Sequence, residues 1–239
     1  MGCVNAQCDG QIRKRVLVVG GSPEPSSAEL VRSLSNEADI LVAVDHGLDV
    51  LLDSGLGCDL FCGDADSVSE RGGGLVRRAE QGVVQADEHA GVHMEVERYD
   101  PHKDFTDLSL ALRAIRDRWE CSDLICTCMT GGRPDHALAV MGRLASWENG
   151  AVRIEEDNFQ GAILRSGSVA HYSDQQGDTF SFIPLSPEAT VSETGMRWEL
   201  DHARVPLLSD LGISNVVESA NACIACHEGL IATWVYIKR

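Results

Sequence analysis

The first half of the chain alternates between short apolar runs and amphipathic segments. The apolar runs have the length of buried parallel strands and fall at residues 16–19, 40–44, 59–62 and 124–130, and residues 94–99 alternate between apolar and polar positions, which also predicts a strand. Between them, apolar residues recur every three or four positions, which predicts helices. These helices carry Leu30, Val31 and Leu34, then residues 48–52, then Leu108, Leu112, Ile115 and Trp119, and finally Leu138, Met141 and Leu144. The alternation predicts an α/β domain with a mostly parallel, Rossmann-like sheet.

Residues 68–92 do not follow this pattern. The run Gly72–Gly74 predicts that any helix there breaks early, because glycine is a poor helix former. We therefore interpret the stretch between Ser67 and Lys103 as a surface loop.

The pattern changes near residue 150, where strand–helix alternation gives way to short strands separated by turns. The predicted strands are 162–164, 168–172, 179–185, 189–191, 197–200, 222–226 and 231–237, with a hairpin turn at Glu228-Gly229 before the last one. This pattern predicts an all-β sandwich. We expect an α/β domain at residues 1–153 and a β-sandwich domain at residues 154–239.

Composition narrows the class of protein. The chain has 239 residues, of which 44% are hydrophobic, so it can bury a sizeable core, and its net charge of −17 argues against a nucleic-acid or membrane partner. No apolar run has the length of a membrane span and no signal peptide is visible, which predicts a cytoplasmic protein. The nine cysteines are then expected to be reduced thiols, and the pairs at 126/128 and 223/226 to be buried rather than zinc-binding.

Aspartates follow the predicted strands. Asp64 and Asp66 come directly after Gly63 at the end of the third strand, and Asp45 ends the second. Because strand ends of a parallel sheet share one edge, these carboxylates should converge and would repel one another without a cation. Asp104, Asp107 and Asp135 stand at the starts of later helices and are expected at the same edge.

Each aspartate also has a simpler interpretation. Asp66 or Ser67 could cap the next helix, and Ser67 and Glu70 fit a capping box. Asp104 could be a helix N-cap with Asp107 in its first turn, and Asp135 could be the N-cap of the last helix.

Two basic residues complete the predicted edge. Arg133 lies in the turn before the last helix, where its guanidinium could bind phosphate oxygens, and Lys103 precedes Asp104. Carboxylates that hold a divalent ion, together with a phosphate-binding arginine and no evident nucleophile, are typical of phosphoryl transfer.

Seven motifs, in this order, resemble those of the thiamine pyrophosphokinase (thiamin diphosphokinase) family. They are Val19-Gly-Gly21, Asp45-x-Gly47, Gly63-Asp-Ala-Asp-Ser67, Lys103-Asp-Phe-Thr-Asp107, Gly131-Gly-Arg-Pro-Asp-His136, Thr194-Gly-Met-Arg-Trp198 and Gly212-Ile-Ser-Asn215. The resemblance implies an α/β nucleotide-binding domain followed by a β-sandwich that binds thiamine, and a homodimer. It also implies transfer of pyrophosphate from ATP to thiamine with release of AMP.

The resemblance also implies roles for individual residues. Asp64, Asp66 and Asp107 correspond to Mg²⁺ ligands, and Asp45 and Asp135 to further acids of the catalytic site. ATP contacts fall to Lys103, Asp104, Thr106 and Arg133, and thiamine contacts to Trp198, Ser214 and Asn215. An aromatic face such as that of Trp198 suits the thiazolium cation of thiamine.

Two features depart from the family, namely His46 where glycine is usual and the longer stretch between Ser67 and Lys103. Two other functions stay open on the residues alone. One is a pyrophosphokinase for another alcohol, such as a pterin, and the other is a non-catalytic protein that binds thiamine or a nucleotide.

Overall fold

The computed structural model describes residues 12–82, 94–100 and 104–237. It comprises two compact units, one within residues 8–143 and one within residues 144–239. An α/β unit is followed by an antiparallel β-sandwich, so the fold class expected from the hydrophobic pattern is confirmed.

The first unit is built on a parallel sheet. Its strands are β1 (Lys14–Val19), β2 (Ile40–Val44), β3 (Leu60–Gly63), β4 (Glu95–Arg98) and β5 (Ser122–Thr127), and its helices are α1 (Ala28–Ser35), α2 (Gly47–Asp53), α3 (Glu70–Glu80), α4 (Asp107–Arg118) and α5 (Pro134–Ala145). The strand order is β5-β1-β2-β3-β4, and every neighbouring pair is parallel. Helices cover the sheet, so the central strands are buried apolar runs, as in Val16–Val19.

Side-chain caps begin helices α1 and α4, whereas α2 has no side-chain cap. Ser27 caps α1 and accepts a hydrogen bond from the backbone N–H of Leu30. Thr106 caps α4 in the same way, so the interpretation of Asp104 as that cap is wrong and Asp107 is the first helical residue. Leu138 is 63% exposed on α5, whereas the nearby Leu144 is buried, so the predicted apolar face of α5 is only partly covered.

The three glycines at positions 72–74 lie inside helix α3, so the prediction that they end a helix is wrong. Ser69 caps α3 by accepting from the N–H of Gly72 and is itself bound to Asp49 of α2 through its own N–H (2.7 Å) and its hydroxyl. The capping box at Ser67 is therefore also wrong. Close packing of α3 on α2 explains Gly72, because a β-carbon there would fall 2.8 Å from Oδ1 of Asp49.

The second unit is entirely antiparallel. Its strands are β6 (Val152–Glu156), β7 (Phe159–Arg165), β8 (Ser168–Tyr172), β9 (Thr179–Pro184), β10 (Glu188–Thr194), β11 (Leu200–Pro206), β12 (Asn215–Val216), β13 (Ala222–Glu228) and β14 (Leu230–Tyr236). One sheet has the order β12-β9-β14-β7-β6 and the other β11-β10-β13-β8. Buried aromatic and aliphatic side chains fill the space between them, including Tyr172, Phe180, Phe182 and Ile224.

Two local predictions in this unit had different outcomes. The hairpin turn at Glu228-Gly229 is confirmed, since Gly229 joins β13 to β14 with a φ of +86°. The strand predicted at residues 197–200 is wrong, because residues 197–199 lie outside any strand and β11 starts at Leu200.

The described cysteines are mostly buried thiols. Burial raises the pKa of Cys58 to about 12 and that of Cys226 to about 11, so both behave as small apolar side chains. Cys121 is disulfide-bonded, which corrects the expectation that every cysteine is reduced. No helix within the described ranges has the length and apolar character needed to cross a bilayer.

Candidate functional site

The carboxyl end of β2 places Asp45 in a tight turn. Its φ is +50°, an unusual conformation for a residue with a side chain, and its N–H donates to the carbonyl of Cys62 over 2.9 Å. Gly63 ends the neighbouring strand β3 beside it. A β-carbon at position 63 would lie 3.0 Å from Oδ1 of Asp45, so glycine lets the two strand ends approach.

Asp64 and Asp66 follow at once in a second tight turn. Ala65 between them has a φ of +63°, and the N–H of Asp66 donates to Oδ1 of Asp64 over 3.1 Å. These turns bring oxygens of Asp45, Asp64 and Asp66 within 4.8 Å of one another. The expected convergence of acidic side chains at one edge of the sheet is therefore present for these residues.

The environment of Asp45 suits a bound cation. Its Oδ2 accepts a hydrogen bond from the hydroxyl of Ser67 (2.5 Å), while its Oδ1 is buried and has no hydrogen-bond partner among the described residues. Burial raises the pKa of Asp45 above its ordinary range, and the bond from Ser67 opposes this. The charges of Asp107, Asp64 and Asp66 raise the pKa further. A divalent cation would offset both the burial and the repulsion, and carboxylate oxygens are ligands that Mg²⁺ prefers.

Other predicted residues lie at differing distances from this cluster. Asp107, predicted as an Mg²⁺ ligand, is outside the group of three but its charge still acts on Asp45. Asp104 is exposed before α4, and the hydroxyl of Thr106 is engaged with Ser109 at the cap of that helix. Lys103 lies outside the described residues.

Arg133 and Asp135 form an ion pair with each other at the start of α5. Nη2 of Arg133 is 2.5 Å from Oδ2 of Asp135, and both side chains are exposed. The hydrogen bond from Arg133 lowers the pKa of Asp135 to about 2. Asp135 is therefore an ionised partner of the arginine, and it is outside the group formed by Asp45, Asp64 and Asp66.

Two contacts near the cluster were not predicted from the sequence. Ser67 matched a capping box, yet its hydroxyl holds Asp45. His46 follows Asp45 directly, and its Nδ1 lies 3.1 Å from Oδ2 of the buried Asp49. The contact of Ser67 with Asp45 depends on how the ends of β2 and β3 meet, whereas His46 and Asp49 are three positions apart at the start of α2.

Trp198, Ser214 and Asn215 lie in the second unit. The indole of Trp198 is 58% exposed, and the guanidinium of Arg197 sits 5.7 Å from its ring centroid. Ser214 is exposed with a φ of +61°, whereas Asn215 is buried and bonded to both the N–H and the carbonyl of Trp198. The structure therefore brings Trp198 and Asn215 into direct contact within this unit.

The fold and the site together define a class: an α/β unit with three converging aspartates at one edge of its sheet, followed by an antiparallel β-sandwich. Comparison with known proteins assigns the family. Residues 31–155 match the catalytic domain of thiamin pyrophosphokinase, and residues 169–231 match its vitamin B1 binding domain. Because the first match alone covers more than half of the chain, the protein belongs to the thiamin pyrophosphokinase family.

Individual relatives agree with this assignment. The thiamine pyrophosphokinase of Bacillus subtilis (strain 168) is 28% identical over 222 residues, which are 91% of this chain and 96% of that protein. A crystal structure of thiamine pyrophosphokinase from Bacillus subtilis matches with a TM-score of 0.74 at 24% identity, covering 95% of this chain and all of that one. The Candida albicans structure matches with a TM-score of 0.73 at 15% identity, covering 94% of this chain and 90% of that one. At 24% and 15% identity, these two structures support the assignment of the fold alone.

Proposed function

We propose that this protein transfers the pyrophosphoryl group of ATP to the hydroxyl of thiamine, forming thiamine diphosphate and releasing AMP. The observation that carries the proposal is the convergence of Asp45, Asp64 and Asp66 in a chain that has both domains of the family. Three ionised carboxylates this close repel one another unless a cation binds among them, and phosphoryl transfer requires a divalent cation.

In this proposal, Asp45, Asp64 and Asp66 hold Mg²⁺, and Asp107 adds negative charge beside them. Bound Mg²⁺ would neutralise phosphate charge while the thiamine hydroxyl attacks the β-phosphorus. Ser67 holds Asp45 in place through its hydrogen bond. The turns with positive φ at Asp45 and Ala65 bring these carboxylate oxygens within 4.8 Å of one another.

The ATP phosphates would contact Arg133, together with an earlier segment of the chain that contains Lys103, Asp104 and Thr106. Arg133 is exposed, and its guanidinium is already oriented by Asp135. A planar guanidinium can bind two phosphate oxygens at once. Asp135 then serves to orient the arginine, a role that fits the direct ion pair between them.

Thiamine would bind against Trp198 with help from Ser214 and Asn215. The exposed indole already has the cationic Arg197 near its ring. The same attraction would favour the thiazolium ring, which carries a permanent positive charge.

We also propose a cytoplasmic homodimer. Exposed apolar side chains cluster in one stretch of the second unit, at Leu207, Leu208, Leu211 and Ile213. Such a patch is typical of an association surface. Light scattering of the purified chain should give twice the mass of one chain, and the mass of a single chain would refute the dimer.

The decisive experiment measures AMP release from ATP by the full chain with Mg²⁺, in the presence and absence of thiamine. We expect AMP and thiamine diphosphate to form in equal amounts, and only when thiamine and Mg²⁺ are both present. Thiamine binding without AMP release would make the protein a non-catalytic binder. AMP release with a pterin alcohol but not with thiamine would change the substrate.

A further inference from the structure

A carboxyl group occupies an inward position of the β-sandwich. Glu193 lies on β10, opposite Leu200 of β11 and Ile224 of β13, and it is 2% exposed. Its Oε2 accepts a hydrogen bond from Nδ2 of Asn215 over 3.2 Å. Its Oε1 is buried without a hydrogen-bond partner among the described residues. Burying a half-satisfied carboxyl is unfavourable, so an apolar residue would serve the core better.

The partner of Glu193 is an amide with every hydrogen-bonding position in use. Oδ1 of Asn215 accepts from the N–H of Trp198 (3.1 Å) and from the N–H of Val216 (2.8 Å). Its Nδ2 donates to the carbonyl of Trp198 (2.8 Å) and to Glu193. An amide group has two acceptor and two donor positions, and all are occupied by this chain. Asn215 therefore forms hydrogen bonds with both the N–H and the carbonyl of Trp198.

These two hydrogen bonds to Trp198 can form in only one orientation of the Asn215 amide. Rotation of the Asn215 side chain by a half-turn would place Nδ2 against the N–H of Trp198 and Oδ1 against its carbonyl. Glu193 faces the Nδ2 end, and its carboxyl offers an oxygen that accepts from this amide donor in either protonation state. Glu193 therefore selects the orientation in which Trp198 is held.

We propose that Glu193 is a positioning residue for thiamine: through Asn215, it holds Trp198 so that the exposed indole can bind the thiazolium cation. The inference rests on the proposed function for its ligand, but the chain of contacts is independent of it. In this arrangement Asn215 acts on thiamine through Trp198. Because Glu193 acts on binding and not on the phosphates, its loss should change thiamine affinity and leave the transfer step intact.

The test compares Glu193→Leu with Glu193→Gln in the full chain. Glutamine keeps an oxygen that can accept from Asn215, whereas leucine does not. We expect the leucine variant to raise the thiamine Kd and KM by about tenfold, the effect of losing one orienting hydrogen bond. Its kcat and its KM for ATP should stay within about twofold of the parent, and the glutamine variant should restore thiamine affinity.

A second readout reports on Trp198 directly. Acrylamide quenching of tryptophan fluorescence is measured for each variant with and without Trp198→Phe, and the difference isolates Trp198. We expect greater quenching of Trp198 in Glu193→Leu and unchanged quenching in Glu193→Gln. Glu188→Gln is the matched control, because Glu188 lies on the same strand but is exposed and paired with Arg204.

The outcomes separate this inference from the proposed function. Unchanged thiamine affinity and unchanged quenching in Glu193→Leu would overturn the positioning role. If that variant does not fold, Asn215→Asp removes the amide donors and should raise the thiamine KM in the same way; an unaltered KM would overturn the role. A parent chain that binds no thiamine refutes the proposed function, and the quenching comparison still decides whether Glu193 positions Trp198.

Discussion

The hydroxyl of Ser67 donates a hydrogen bond to Oδ2 of Asp45 over 2.5 Å, which links the turn after β3 to the turn after β2. Helix α3 starts three residues later, at Glu70, with Ser69 as its cap. The sequence pattern predicted Ser67 as the helix cap, but in the structure Ser69 is the cap. Ser67 supports the acidic cluster, and Ser69 supports the helix.

Replacing Ser67 with alanine should weaken Mg²⁺ binding. Loss of the hydrogen bond removes the contact that favours the ionised form of Asp45, so we expect about a tenfold rise in the Mg²⁺ concentration needed for half-maximal activity. Ser69→Ala is the control: it should lower the free energy of unfolding by about 1 kcal/mol through loss of the cap, with little effect on Mg²⁺. Equal Mg²⁺ requirements in Ser67→Ala and the parent would contradict the assignment.

Replacing Asp64 with asparagine should abolish turnover and leave the fold intact. The change removes a cation-binding charge, so we expect kcat to fall by at least about a hundredfold. Without Mg²⁺, the variant should unfold at a higher temperature than the parent, because one repulsive charge is gone. Asp66→Asn should behave alike. Unimpaired turnover in both variants would refute the metal site.

Alanine substitutions at Gly72 and Gly74 should have opposite effects on stability. A β-carbon at position 72 would overlap Val68 and approach Asp49, so Gly72→Ala should lower the free energy of unfolding by about 1–3 kcal/mol. At position 74 the nearest atom to an added β-carbon would be Nη2 of Arg77, 3.9 Å away. Gly74→Ala should therefore raise the free energy of unfolding by about 0.5–1 kcal/mol, because alanine has the higher helix propensity. Urea denaturation measures both, and a stabilising Gly72→Ala would contradict the packing of α3 on α2.

Glu193 should make stability depend on pH. Burial raises its pKa from 4.5 to about 7, against the opposing effect of the hydrogen bond from Asn215. Between these values the folded chain keeps a proton that the unfolded chain has lost, so stability falls as pH rises through this window and stays low above it. Relative to the parent, Glu193→Gln should gain up to about 3 kcal/mol between pH 4.5 and pH 8.

Chemical denaturation at a series of pH values gives the measurement for this prediction. Glu188→Gln again serves as the control, since it removes an exposed carboxyl from the same strand. A parallel pH dependence for Glu193→Gln and the parent would show that Glu193 ionises alike in the folded and unfolded chains.

Much of this protein was determined by local sequence. The buried parts of strands such as β1 and β2 are continuous apolar runs. The change to short strands after residue 150 predicted the β-sandwich. Asp45, Asp64 and Asp66 were identifiable because each stands at a strand end, and parallel strands end at the same edge. These features depend on periodicity and on chain order, both of which can be read without coordinates.

Tertiary structure decided the features that depend on which side chains meet. Helix α3 forms through three glycines because Gly72 packs on α2 and Ser69 bonds to Asp49. Glu193 stands at an ordinary inward position of a strand, and only the fold places Asn215 against it. Such contacts join residues about twenty positions apart or on different strands, and their energies depend on distances of a few ångströms. A linear pattern carries no measure of those distances, so these relationships became visible only in three dimensions.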